Sequence, residues 1–173
     1  MRQDPKLMKV AQIKDWADAM DDTNPMSQLR LAEHETRVMF VVDELYNEYP
    51  DFFERPIKLI GTKLKRIMSL YQPNIYFETV ALVEPKNEKQ HIYHWVDAPE
   101  IDCASELSKR HFGKLLEIVL DVKRVGSQRI FHITGDPRLI VRLDVAESIL
   151  RRIPYGIVFE RVELEGERGD VNV

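Results

Sequence analysis

Five histidines and a single cysteine are the first residues to weigh for chemistry in this sequence. His91 and His94 form an H-x-x-H pair beside Trp95. On a helix that spacing lets two imidazoles share a metal, whereas in a strand residues three apart face opposite ways. The segment His91 to Val96 reads as a strand, so the pair is read as two separate histidines and no metal site is assigned. Cys103 ends the acidic stretch Asp97-Ala98-Pro99-Glu100-Ile101-Asp102. A reactive thiol needs positive neighbours that favour the thiolate, and carboxylates do the reverse. Cys103 is therefore expected to be an inert, buried thiol. Grouping it with His111 and Asp102 would make the chain a small cytosolic hydrolase, provided that all three meet in one pocket. The sequence holds no G-x-S-x-G, P-loop, G-x-G-x-x-G or H-E-x-x-H pattern. No catalytic residue and no cofactor follow from it.

Charge is more informative than nucleophiles. Asp plus Glu number 29 against 25 Lys plus Arg, a formal net charge of -4. A mildly acidic surface argues against a phosphate backbone as partner and suits a basic protein better. The carboxylates cluster three times: Asp15, Asp18, Asp21 and Asp22; Asp97, Glu100 and Asp102; Glu163, Glu165 and Glu167. Asp18, Asp21, Asp22, Asp97, Glu100, Asp102, Glu163 and Glu165 are the residues expected to form a charged docking face. Basic runs at Lys58, Lys63, Lys65 and Arg66 and at Lys109, Arg110 and Lys114 read as the wet faces of helices.

These side chains have to be held by something. Leu7, Val10, Ile13, Trp16, Ala17 and Met20 recur at near-helical spacing, which predicts a helix over 6–20. Arg37 to Val42 and Ile57 to Ile60 read as short strands. Thr62 is placed as an N-cap before a helix whose apolar stripe is Leu64, Ile67, Met68 and Tyr71. Ile75 to Leu82 and His91 to Val96 form a hairpin about a turn at Pro85 to Glu88. Strands are expected at 117–122, 129–134 and 139–143. Asp144, with Glu147 three residues on, is placed as a second N-cap of a helix reaching Arg152. A last strand runs from Ile157 to Leu164.

Two stretches match without a gap, IKLIGTKLKRIMSLYQPNIYFETVAL over 57–82 and LIVRLDVAESILRRIPYGIVFERVEL over 139–164. Their offset of 82 residues pairs Phe77, Glu78, Val80 and Leu82 with Phe159, Glu160, Val162 and Leu164. The reading is an α+β fold: a mixed sheet with two similar strand-helix-strand units and hairpin-linked strands, plus an N-terminal helical segment. Residues 1–55 are taken as a helical extension or sub-domain and 56–173 as the main domain. One cysteine excludes an internal disulfide. The charged start has no apolar secretory core and no run is long enough to cross a bilayer, so the expected address is the cytoplasm.

The segment from about Pro56 to Leu164 resembles the immunity-eleven family of bacterial polymorphic toxin systems. PIKLIGTKLKRIM, YHWVDAPEIDCASE, LLEIVLDVKRVGSQRIFHITGDPRLIVRLDVAESIL and YGIVFERVEL carry the likeness. It covers about two-thirds of the chain and consists of apolar and turn residues in order, not of a catalytic signature. The resemblance implies a non-enzymatic antitoxin that binds a cognate secreted toxin domain encoded nearby, such as a nuclease, without nucleic acid or membrane as partner. The hydrolase is one alternative. A general interaction or structural domain, including a homodimer, is another.

Overall fold

The computed structural model describes residues 1–14, 36–112 and 114–165. Its organising element is the expected hairpin. β5 (Tyr76–Glu84) and β6 (Lys89–Asp97) pair antiparallel from Tyr76 opposite Asp97 to Glu84 opposite Lys89. Around it lie β2 (Thr36–Phe40), β3 (Phe52–Phe53) and β4 (Leu59–Gly61), giving the order β2-β5-β6-β4-β3. β2 runs parallel to β5, and β4 is antiparallel to β6. β4 and β5 therefore run the same way with β6 between them. α1 (Thr62–Tyr71) connects the two, and the sheet is mixed as expected.

Strand alternation divides the apolar residues into cores on either side. Ile60, Phe77 and Val96 face a core shared with Leu64 and Met68 of α1. Leu59, Val80, Leu82, Tyr93 and Trp95 face a second core on the other side. β7 (Glu100–Ile101), β11 (Ile130–Ile133) and β12 (Leu139–Val141) make a smaller sheet, ordered β12-β11-β7. Ile130 and Leu139 from this sheet enter the first core, whereas Phe131, Ile133 and Ile140 enter a third one with Cys103, Leu115 and Leu120.

α3 (Leu143–Leu150) packs beside α1, and Lys63 Nζ donates to the Arg152 carbonyl at 2.9 Å. The helices start earlier than the capping patterns predict, α1 by one residue and α3 by two. Gly61 and Arg142 occupy the N-cap positions with extended backbone and no side-chain cap bond. The Thr62 hydroxyl is engaged instead with His94 Nε2 at 3.2 Å, and Asp144 sits inside the first turn, 3.2 Å from Arg129. A longer-range interaction has displaced the local cap in each case.

The first strand and the helix of each repeat form, but the register slips. The fully buried helix positions are Leu64 and Met68 in α1, and Val145 and Ile149 in α3, so the helices superpose at 81 rather than 82. Leu150 and Ile153, which the 82-residue offset pairs with Met68 and Tyr71 of the first apolar stripe, are exposed. The return strand also breaks. Ile157–Val158 forms β13, paired antiparallel with β1 (Arg2–Gln3), while Glu163–Leu164 forms β14, paired parallel with β10 (Val119–Leu120).

The N-terminal helix expected over 6–20 does not form in its described part. Residues 6–14 run as turns and extended chain, with isolated bridges from Val10 to Glu48 and from Ile13 to Val41. Val10 and Ile13 pack on the second core, which rewards an extended path over the sheet more than a helical one. The strands drawn from before residue 55 pair with strands from beyond it. The strand expected at 117–122 is likewise divided. β8 (Lys109–His111) and β9 (Lys114–Glu117) form a hairpin, β10 follows, and α2 (Val122–Val125) is a single turn capped by Asp121, whose carboxylate accepts from the Lys123 amide.

Candidate protein-docking face

β10 positions the site. Leu120 bridges Ala104 on one side and lies opposite Leu164 of β14 on the other. The Asp121 amide donates to Cys103 O at 2.9 Å, and the Glu165 amide donates to Leu120 O at 2.8 Å. The acidic segments ending at Asp102 and beginning at Glu163 are thus set on either side of one strand, about 10 Å apart, or two strand spacings. Leu120 and Leu164 point into the third core. Alternation then turns Glu163 and Glu165 outward, and both are exposed.

Two residues absent from the sequence-based set complete this face. Arg124 Nε lies 3.1 Å from Asp121, and its Nη1 lies 4.0 Å from Asp102. One guanidinium therefore serves two carboxylates, and Asp102 stays 79% exposed. The signal was available: Asp121 precedes Val-Lys-Arg-Val and then Gly126, an acidic N-cap followed by a one-turn helix and a glycine stop. Gly126 takes φ 60° at that stop.

The other members of the expected set lie elsewhere. Asp97 ends β6, and Glu100 stands opposite His132 in the β7–β11 pairing. Both carboxylates favour the His132 imidazolium, yet burial outweighs them and holds its pKa below the ordinary value. Asp18, Asp21 and Asp22 fall outside the described residues.

Glu163 also borders a shallow cleft of about 250 Å³. Leu116, Ile118, Ile140 and Val162 form its apolar wall, and Glu117 and Glu160 share the rim. Arg2 and Arg138 reach the cleft while engaged by Glu160 and Asp136, at 3.0 and 2.6 Å.

The hydrolase grouping does not assemble. Cys103 is fully buried, with its pKa raised by desolvation and then by Asp102 and Asp121. His111 is exposed on the β8–β9 hairpin, its ring edge-on to Phe112, and Asp102 turns to Arg124. His91 and His94 lie on opposite faces of the sheet, as their spacing requires. His91 stacks on Tyr49 over the second core, whereas His94 contacts Thr62 at the start of α1. Among the described residues no cluster of three metal-ligating side chains occurs, and no helix is long and apolar enough to cross a membrane. Comparison of the chain with protein-family models, curated proteins and solved structures finds no match.

Proposed function

We propose that this chain is an immunity protein that neutralises a secreted toxin domain by direct contact in the cytoplasm, without catalysis. The observation that carries the reading is the convergence of Asp102, Asp121, Glu163 and Glu165 about β10. These carboxylates stand on a sheeted scaffold with its own buried core, which fixes their spacing before a partner arrives. A toxin domain that cuts nucleic acid must present a basic groove, and an acidic, pre-organised face complements it. The resemblance of residues 56–164 to immunity proteins supports the same class of partner.

The test is co-expression with the toxin domain encoded beside this chain. Wild type is expected to restore growth and to bind the purified domain with an affinity that falls as salt rises. Asp102→Lys combined with Glu165→Lys is expected to weaken binding by at least about tenfold while the melting temperature holds. Failure of the wild type to protect or to bind would remove the proposal.

A further inference from the structure

The outward faces of α1 and α3 differ from the acidic lobe in both charge and polarity. The two helices lie side by side and antiparallel. Lys63 at the start of α1 meets the Arg152 carbonyl, and Arg129 links Tyr71 at the end of α1 to Asp144 at the start of α3. Lys63, Arg66 and Leu70 fall at i, i+3 and i+7 on the exposed stripe of α1, and Leu143, Glu147 and Leu150 at i, i+4 and i+7 on that of α3. Leu70, Leu143 and Leu150 are 79%, 74% and 52% exposed, and Ile153, just past α3, is 87% exposed. Residues 62–71 and 142–153 hold six cations, Lys63, Lys65, Arg66, Arg142, Arg151 and Arg152, against two carboxylates. Both carboxylates are engaged: Asp144 by Arg129 and Arg142, and Glu147 by Arg151. Asp51, beside the start of α1, accepts from the Tyr155 amide. A chain of net charge -4 therefore carries a basic layer studded with bare aliphatic side chains.

We propose that this two-helix layer rests on an anionic lipid bilayer without crossing it. Helices that lie in a membrane interface combine Lys and Arg, whose charge meets the headgroups, with aliphatic side chains that enter the acyl boundary. α1 and α3 supply both on one surface, and the flexible cationic stems let the charge stay at headgroup level while the leucines sink. A second copy meeting this face with its own would set six cations against six. Nucleic acid would satisfy the cations but leave the leucines in water. A protein interface gathers aromatic and apolar anchors at its centre and is depleted in lysine. Here the aliphatic side chains divide between the two ends of the layer, Leu70 with Leu143 and Leu150 with Ile153. The acidic lobe does not oppose this contact. It packs on the other face of the β12-β11-β7 sheet from α3. The field of an anionic surface attracts one side of the molecule and repels the other, which leaves the face proposed for a toxin turned towards water. The resemblance to immunity proteins implies no membrane partner, and the lipid contact stands independently of it.

Flotation of the purified chain with lipid vesicles tests this without any toxin, so its outcome is separate from that of co-expression. Wild type is expected to float with phosphatidylcholine vesicles holding about 30% phosphatidylserine, to ignore pure phosphatidylcholine, and to be released at about 0.5 M salt. Arg66→Gln/Arg151→Gln and Leu70→Ser/Leu143→Ser are each expected to weaken binding at least about tenfold. Little change in melting temperature is expected in either, since all four side chains are exposed. Leu143→Trp is expected to bind more tightly, because indole favours the membrane interface. A wild type that stays unbound, or that binds both kinds of vesicle alike, overturns the proposal, as does binding that either double variant leaves intact. Vesicle binding that only the arginine variant loses, matched by equal binding to duplex DNA, would assign the face to a phosphate polyanion instead and overturn it equally.

Discussion

Arg37 and Glu78 meet at 2.6 Å across β2 and β5, with the Glu78 side chain almost wholly buried. Removing the arginine strands a carboxylate in the sheet, so Arg37→Ala is expected to lower stability by about 3–5 kcal/mol, whereas a like-sized apolar pair would lower it far less. Urea unfolding of Arg37→Ala and Arg37→Met/Glu78→Leu distinguishes the two. His94 gives a pH dependence. Burial first, and then the charge of Lys65, depresses its pKa from 6.5 to about 4. The folded state thus binds fewer protons than the unfolded one. The stabilisation is complete above about pH 6.5 and is lost as pH falls towards 4. Burial also lowers His91 and His132, so they add to the same slope. The urea midpoint is expected to fall through that window, and His94→Leu is expected to flatten the curve; an identical slope in the variant would refute this assignment. Cys103 should resist a thiol reagent until urea unfolds the chain, because its sulfur is buried in the third core and its thiolate is disfavoured.

At the scale of elements, the two helices show what a pattern determines and what packing decides. Apolar spacing located both, but it aligned them one residue out. Leu64→Ala and Ile149→Ala are expected to lower stability by about 2–5 kcal/mol each, as cavities at fully buried positions. Ile153, 87% exposed at φ 50°, should behave oppositely. Ile153→Gly is expected to be neutral or to raise the melting temperature by a few degrees, because a β-branched residue is strained there. The β5–β6 hairpin was legible because alternation and a four-residue turn are local signals. The β8–β9 hairpin was not, since Lys109, Arg110 and His111 are all exposed and show no alternation. The division of 157–164 between β1 and β10 left a trace in the sequence: Ile157 and Phe159 alternate, but Val162 and Leu164 fall on the other parity, so the phase shifts where the strand divides. The acidic segments could be listed from the sequence, but their convergence depends on β10, a two-residue strand with no pattern of its own.

At the scale of the whole molecule, early and late parts of the chain are joined around Gly156. The Asp4 amide donates to Gly156 O and the Asp51 amide to Tyr155 O, both at 2.9 Å, and Tyr155 Oη donates to Glu48 at 2.6 Å. Gly156 takes φ 72°, and a Cβ there would lie 2.5 Å from Pro50 Cβ and 2.7 Å from Leu7 Cδ1. Gly156→Val is expected to lower stability by at least about 2 kcal/mol through strain and overpacking, measured as a drop in melting temperature. The pairing of β1 with β13, Arg2 opposite Val158, has a consequence for synthesis. At about 5–20 residues per second a ribosome takes on the order of ten seconds to make the second strand after the first. During that interval Arg2 and Gln3 lack their strand partner, although Val10 and Ile13 can already bridge Glu48 and Val41, and contacts this distant in sequence also form slowly. A nascent chain arrested before Ile157 is therefore expected to be cut readily by protease near Arg2 and Lys6, although its central hairpin is complete. Extending the arrest point past Glu165 should restore resistance in a single step.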